Sequence, residues 1–192
     1  MKFKKPKFWD LKKQNLISYL LFPFTIVFEL NNLILNFKSK KITKDIKSIC
    51  VGNIYIGGTG KTPATIKLYE ILKKLNYKVC TGQKYYSKYF DEQILLRDKT
   101  NLISENTRID IIEKAKDKKN ELVIFDDGLQ DKSLNYDLKI VCFDANKWIG
   151  NGQLIPSGPL REKLSSLKKY DVIFLKDQNS NIDNIKEIIK KN

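Results

Sequence analysis

Residues 57–62 read Gly-Gly-Thr-Gly-Lys-Thr, and they lie between an apolar run and a helical pattern. Glycines let backbone N–H groups turn toward a phosphate, a lysine can reach β- and γ-phosphates, and a threonine hydroxyl can hold Mg²⁺. The segment departs from the strict G-x-x-x-x-G-K-[ST] pattern because Tyr55 takes the place of the first glycine. It therefore predicts a variant phosphate loop for ATP, with these contact residues: Gly57, Gly58, Thr59, Gly60, Lys61 and Thr62.

Two neighbouring acids, Asp126 and Asp127, follow the apolar run 122–125. P-loop enzymes keep the acid that anchors Mg²⁺ or its water shell at the end of such a strand. Strands also end in Asp for turn reasons, but the phosphate loop earlier in the chain favours the metal role. The sequence therefore predicts that Thr62, Asp126 and Asp127 bind Mg²⁺.

The chain contains no histidine, which excludes histidine bases and Ser-His-Asp triads within it. Any general base must be a carboxylate, a lysine or a tyrosine. The three cysteines, Cys50, Cys80 and Cys142, lie in apolar strand-like runs without metal-ligand spacing, so we expect reduced core thiols.

Short apolar runs alternate with helical stretches from residue 46 onward, as in a parallel sheet with crossover helices. The patterns predict strands over 46–51, 79–81, 122–125, 138–143 and 172–175, and helices over 63–75, 104–116 and 182–189. The expected fold class is α/β, a P-loop NTPase-like parallel sheet with flanking helices. We assign it to one domain, residues 46–192.

Residues 1–45 form a separate basic and apolar segment. The mostly apolar run 16–37 is flanked by lysines on both sides and contains Pro23, Glu29, Asn31 and Asn32. Its apolar and polar contributions to membrane insertion nearly cancel, so an interfacial membrane-associated helix is favoured over a span or a helix packed on the body. The lysines would contact anionic head groups.

The formal net charge of +14 comes from 33 lysines and only three arginines, spread along the chain. Such charge attracts nucleic acid, anionic lipid or phosphorylated substrates without choosing among them, and coding bias also produces it. No nucleic-acid-binding motif is present, so nucleic acid is not an expected partner.

Three stretches resemble the tetraacyldisaccharide 4'-kinase family in order and wording. They are Val51-Gly52-Asn53 leading into the loop and Pro63, then Asp126-Asp127-Gly128-Leu129-Gln130, then residues 150–162, Gly-Asn-Gly-Gln-Leu-Ile-Pro-Ser-Gly-Pro-Leu-Arg-Glu. Phe8-Trp9 before the apolar run also looks like that family's membrane-associated start.

The resemblance implies ATP-dependent phosphorylation of tetraacyldisaccharide 1-phosphate at the 4'-position, which forms lipid IVA in lipid A biosynthesis. It places the protein on the cytoplasmic face of the bacterial inner membrane, peripheral or monotopic, with a lipid-linked disaccharide as substrate.

The same resemblance assigns further site residues. Phe90-Asp91-Glu92 is similar to a Gly-Asp-Glu motif whose acid acts near the attacking hydroxyl, so Asp91 is the expected base. Arg161 and Glu162 match a catalytic Arg-Glu pair, in which a guanidinium can bind phosphate in a fork geometry. Gln130 is expected to contact the nucleotide.

Several features depart from the family pattern. Residues 81–86, Thr-Gly-Gln-Lys-Tyr-Tyr, replace a Ser-Arg-Gly-Tyr-Gly stretch, and Asp131 stands where a histidine usually follows the glutamine. Family members are longer, so the resemblance covers about their first half or more. Three alternatives stay open: a degenerate membrane-bound relative that binds nucleotide or lipid, the nucleotide-binding half of a two-chain kinase, and a partitioning ATPase. The last usually has a lysine where this chain has Ile56.

Overall fold

A computed structural model describes residues 5–38, 45–85, 90–131, 133–177 and 182–191, with side chains for all of these except 31–38 and 90. Four of the lysines expected to flank the N-terminal helix lie outside the described residues: Lys2, Lys4, Lys40 and Lys41.

The described residues form helices and strands that alternate along most of the chain. In chain order these are a 3-10 helix Lys7–Asp10, α1 Leu16–Lys38, β1 Lys47–Gly52, α2 Lys61–Lys74, β2 Val79–Lys84, α3 Phe90–Lys99, β3 Leu102–Glu105, α4 Arg108–Asp117, β4 Leu122–Asp126, β5 Leu138–Asp144, a 3-10 helix Leu164–Lys169, β6 Val172–Lys176 and α5 Asp183–Lys191.

The six strands form one sheet in the order β3-β2-β4-β1-β5-β6. The pairs β1–β4, β1–β5, β2–β3 and β2–β4 are parallel, which confirms the predicted α/β class. In the β1–β4 register, Val51 lies opposite Asp126. Because parallel strands end at the same edge, the chain leaving β1 and the acids at the end of β4 start from neighbouring positions.

The chain divides into two compact units, and the second comprises residues 40–52 and 60–141. Its core is an apolar cluster from the sheet and α4, in which Cys50, Cys80, Ile111, Val123 and Phe125 are fully or almost fully buried. Burial raises the pKa of the Cys80 thiol to about 12. All three cysteines are free thiols in buried positions, as the sequence predicted.

The first unit comprises residues 1–39, 53–59 and 142–192. Among the described side chains of its helix α1, the buried ones are polar: Ser18 is 1% exposed and Thr25 is 4% exposed. The Ser157 hydroxyl donates to the carbonyl of Ser18 at 2.6 Å, and Asn151 Nδ2 donates to Ser18 Oγ at 2.9 Å. Large apolar side chains of the same helix are exposed: Leu16, Ile17, Tyr19, Leu20, Phe22, Phe24, Ile26, Val27 and Leu30. In the described part of the chain, no helix has both the length and the apolar character that crossing a membrane requires.

Most predicted strands and helices are present, but α3, β3 and the two 3-10 helices were missed, and several boundaries differ by a few residues. The prediction contained neither α3 nor β3, and it began the fourth helix at residue 104, which lies in β3. Thr107 is the true start: its hydroxyl accepts from the Asp110 N–H, while the Asp110 carboxylate accepts from the Thr107 N–H. This capping box stops the helix from extending toward residue 104.

Candidate active site

The phosphate loop has the backbone conformation that its glycines allow. Gly57 and Gly60 have φ values of 139° and 83°, which L side chains rarely adopt. Helix α2 begins immediately afterwards at Lys61, two residues earlier than predicted, and Gly60 provides no side-chain cap. Pro63 fits in this first turn because the N–H groups there have no partner within the helix. The uncapped N–H groups and the partial positive charge of the helix end suit an anion.

The first part of the loop is fixed within the first unit by Asn53. Its buried side-chain amide donates to the Gly57 carbonyl and to Thr59 Oγ1, both at 3.1 Å. The sequence pattern gives Asn53 no role beyond its place in a motif, so its part in shaping the turn was not predicted. An amide shortly before a glycine-rich turn was the available signal, because Asn often bonds to nearby backbone.

In the second unit, the Asp126 carboxylate is 1% exposed and accepts hydrogen bonds from two threonines of α2. Thr62 Oγ1 lies 3.0 Å from Asp126 Oδ2, and Thr65 Oγ1 lies 3.2 Å from Oδ1. Burial raises the pKa of Asp126 to about 6, and the negative charges of Asp127 and Glu92 add to the rise. Lys61 and the Thr62 hydroxyl act against it. The carboxylate therefore lies where a nearby cation would be stabilising.

The lysine of the loop faces the second acid. Lys61 Nζ lies 3.9 Å from Asp127 Oδ1, and the lysine side chain is only 9% exposed. Asp127 itself has a φ of 56°, which is unusual for a residue other than glycine. The structure thus brings Lys61, Thr62, Asp126 and Asp127 together in one unit.

The donor set of Thr62 and Asp126 fits Mg²⁺, which prefers hard oxygen ligands. Among the described residues, no group of three or more histidine, cysteine, aspartate or glutamate side chains could hold a metal. Mg²⁺ commonly uses one or two carboxylates and completes its shell with phosphate oxygens and water. These residues would therefore hold Mg²⁺ together with a nucleotide.

Gln83 also faces Asp126, although the sequence gave it no role beyond a departure from the family pattern. Its Nε2 lies 3.4 Å from Asp126 Oδ2. Its Oε1 is buried and has no hydrogen-bond partner among the described residues. Such an orphaned acceptor is expected to bond to water or a ligand. Thr65 was missed as well, although its place one helical turn after Lys61 was a usable signal.

The remaining predicted residues occupy other parts of the fold. Asp91 is exposed in the first turn of α3, and neighbouring Glu92 acts on Asp126 through its charge. Gln130 is partly buried in the turn that follows β4. Neither position tests the role that the resemblance assigned.

Arg161 and Glu162 lie in the first unit, each partly buried. The Arg161 N–H donates to the Ile54 carbonyl at 2.7 Å, and the Tyr170 hydroxyl donates to Glu162 Oε1 at 3.0 Å. Residues 150–162, to which both belong, also contact Trp9, whose indole Nε1 donates to the Pro156 carbonyl at 3.1 Å. This stretch therefore has a structural role, since it holds the N-terminal residues within its own unit.

Comparison with known proteins identifies the family. The model of the tetraacyldisaccharide-1-P 4'-kinase family matches residues 17–192. A tetraacyldisaccharide 4'-kinase of Pelagibacter ubique is 50% identical over 191 residues, which cover 100% of this chain and 60% of that protein. A Rickettsia bellii protein of the same name is 32% identical and covers 91% of this chain and 59% of its own length.

A solved structure has the same fold. It is LpxK from Aquifex aeolicus in complex with ATP, with a TM-score of 0.68 and 23% identity over 86% of this chain and 63% of that one. The present chain thus spans about 60% of the length of its relatives. The match to the family model and the 50% identity together establish that the chain belongs to the tetraacyldisaccharide-1-P 4'-kinase family.

Proposed function

We propose that this chain binds ATP with Mg²⁺ and transfers the γ-phosphate to the 4'-position of tetraacyldisaccharide 1-phosphate, which yields lipid IVA. The observation that carries this proposal is the pairing of Thr62 with buried Asp126 beside Lys61 and Asp127. Family membership supplies the acceptor, because relatives are named tetraacyldisaccharide 4'-kinases. The solved structure with ATP supports the choice of nucleotide.

The residues of the site have distinct roles in this proposal. The loop amides and Lys61 bind the β- and γ-phosphates, and Thr62, Asp126 and Asp127 hold the metal, with Asp127 also facing Lys61. Gln130 contacts the nucleotide. Bound Mg²⁺ supplies charge neutralisation for the phosphate oxygens. The protein therefore contributes chiefly position and electrostatics.

In the transfer step, the 4'-hydroxyl oxygen forms a bond to the γ-phosphorus while the bond from that phosphorus to the β,γ-bridging oxygen breaks. The hydroxyl proton passes to Asp91, and ADP leaves with the electron pair of the broken bond. Arg161 stabilises the transferring phosphoryl group or the phosphate of the acceptor. Glu162 is the second member of the catalytic Arg-Glu pair that the family resemblance assigns. Asp91 suits the base role because its carboxylate is exposed in the first turn of α3.

We further propose that residues 1–45 attach the protein to the cytoplasmic face of the inner membrane, while residues 46–192 form the kinase domain. Helix α1 supports this because its polar Ser18 and Thr25 are buried, while most of its described large apolar side chains are exposed. Exposure of such an apolar face to water costs free energy, and a lipid surface would bury the face. The acceptor is itself lipid-linked, so attachment would bring enzyme and substrate to one surface.

The first test is ATP-dependent phosphorylation of tetraacyldisaccharide 1-phosphate in detergent, with ATP binding measured on the same preparation. Lys61→Ala should abolish transfer, and Lys73→Ala, an exposed lysine of the same helix, should leave it unchanged. ATP binding without transfer would favour a binding-only relative or a kinase half that needs a separate chain for its second lobe. Absence of both would refute the proposed function.

A further inference from the structure

The backbone of Asp127 is held in a conformation that residues other than glycine seldom adopt. Its φ of 56° lies in the left-handed region, where an aspartate is strained. Such a residue persists only when its surroundings fix it. The carboxylate of Asp127, a predicted Mg²⁺ ligand, faces the predicted phosphate contact Lys61. The backbone conformation of Asp127 therefore decides where this carboxylate points.

Two hydrogen bonds fix the Asp127 peptide groups. Its N–H donates to the Val51 carbonyl at 2.8 Å, which ties it to the end of β1. Its carbonyl accepts from Arg108 Nη2 at 2.6 Å. The Arg108 guanidinium reaches it from the first residue of α4 and is only 5% exposed. A buried arginine that donates to a backbone carbonyl is unusual unless an acid compensates its charge.

Asp131 supplies that acid. It forms an ion pair with Arg108 Nη1 and also accepts from Lys84 Nζ at 3.2 Å and from the Ser133 hydroxyl at 2.6 Å. These bonds and charges outweigh burial and hold the pKa of Asp131 below its usual range. The guanidinium is therefore clamped on one side by a carboxylate and bonds on the other to the carbonyl of the site residue.

The packing around Gly128 shows how closely the arginine approaches this backbone. A Cβ atom at Gly128 would lie 3.2 Å from Arg108 Nε, 2.8 Å from Cys50 Sγ and 2.9 Å from the Tyr136 hydroxyl. Only glycine fits here without a shift of its neighbours. The turn that follows Asp127 is thus built around the buried guanidinium.

We propose that Arg108 and Asp131 are a positioning pair, which fixes the Asp127 backbone and so orients its carboxylate for Mg²⁺-nucleotide binding. The proposal rests on the nucleotide-binding role given above. It extends that role to two residues that are not among those proposed to bind phosphate or Mg²⁺. Asp131 stands where the resembled pattern has a histidine, so the resemblance gave it no role. Arg108 had no predicted role.

The test measures ATP affinity by calorimetry, once with Mg²⁺ and once with EDTA. Arg108→Lys keeps the charge but loses the fork, and it should weaken Mg²⁺-ATP binding about tenfold or more, since a charge-assisted bond is lost. Binding in EDTA should change by less than about twofold, because only metal-linked geometry is affected. Arg97→Lys on the exposed face of α3 is the matched control and should bind as the wild type does.

Asp131→Asn is the second variant, and it should reproduce the selective loss of Mg²⁺-dependent affinity. Because the two residues act as a unit, the double variant should lose no more than Arg108→Lys alone. Should Arg108→Lys fail to fold, as judged by thermal unfolding, Asp131→Asn and Lys84→Met decide, since Asp131 and Lys84 are both more exposed than Arg108. Failure of the wild type to bind ATP would refute the nucleotide role, whereas wild-type binding with unchanged Mg²⁺-dependent affinity in the variants would refute the positioning pair alone.

Discussion

The Thr62 hydroxyl donates a hydrogen bond to the Asp126 carboxylate, with 3.0 Å between Oγ1 and Oδ2. Thr62 closes the phosphate loop in the first turn of α2 and Asp126 ends β4, so the fold joins positions that are 64 residues apart. The carboxylate is nearly inaccessible, and burial of its charge without a cation is costly. A site built this way is arranged for a ligand more than for stability of the fold.

We predict that Asp126→Asn separates binding from stability. Asparagine keeps the shape and can still bond to the threonine hydroxyls, while the desolvated charge disappears, so thermal stability should stay equal or rise. Affinity for ATP with Mg²⁺ should fall at least about tenfold because a metal-binding carboxylate is lost. Calorimetric titration and thermal unfolding measure the two effects. Asp98→Asn, an exposed acid of α3, should alter neither, and unchanged Mg²⁺-ATP affinity in Asp126→Asn would remove this residue from the metal site.

Tyr55, which replaces the first glycine of the strict loop pattern, is predicted to act through packing. Its ring is fully buried against Leu154 and Leu160, and its hydroxyl bonds to Asp10 and accepts from Lys5 Nζ at 2.7 Å. Tyr55→Phe should cost about 1 kcal/mol because the lost bonds involve partly exposed charges. Tyr55→Gly, which restores the strict pattern, should cost about 4 kcal/mol or more because it empties the cluster.

Urea unfolding measures these differences. Tyr77→Phe is the control, since Tyr77 is exposed and its substitution should stay within about 0.5 kcal/mol of the wild type. Equal stability of the wild type and Tyr55→Gly would show that the tyrosine has no packing role.

The phosphate loop, its acids and most strands could be predicted because their signals are local. Residues 46–51 and 122–125 are short apolar runs, and the sheet places β1 and β4 there. Strand β3 was missed because it has only four residues and one fully buried side chain, Ile103, so no period is visible. Helix α3 was missed for a similar reason, since its buried residues Gln93 and Leu96 give no apolar stripe.

The contacts that support the site could not be predicted, because they depend on which elements become neighbours. Arg108 begins α4 and Asp131 lies in the loop after β4, 23 residues further along the chain, and nothing in the spacing indicates that they pair. Thr65 and Gln83 reach Asp126 only because α2 and β2 both lie beside β4. The capping box at Thr107 and Asp110 was readable, but its acid is aspartate in place of the more usual glutamate.

Asp131→Asn should produce a pH-dependent loss of stability. The folded-state pKa of Asp131 is depressed below its ordinary value of about 3.9, so its contribution is present above that pH and is lost as the pH falls through the folded pKa. Near neutral pH the variant should be less stable by about 2 kcal/mol, because Arg108 stays buried without its full counter-charge. The difference should shrink below about pH 4.

Chemical denaturation at a series of pH values measures this difference. The exposed Asp98→Asn should show no such trend, which separates the ion pair from the general effect of removing one negative charge from a basic protein. A difference that stays constant down to about pH 2 would contradict the assignment of the depressed pKa to Asp131.

The last prediction concerns the exposed apolar face of α1. Leu20 and Phe24 are 66% and 62% exposed and lie one helical turn apart, while Ser18 and Thr25 are buried. If the face enters a lipid surface, replacing both residues by serine should reduce binding to vesicles that contain anionic lipid by at least about a hundredfold, since each buried large apolar side chain contributes roughly 1.5–3 kcal/mol. Flotation of the protein with vesicles measures the change.

The matched control replaces Ile71 and Leu75, which are exposed, share the same spacing and lie outside α1. Because the substituted side chains are exposed, thermal stability should hardly change. A loss of vesicle binding confined to the α1 variant therefore locates the attachment at α1. Equal vesicle binding by both variants would exclude this face as the anchor.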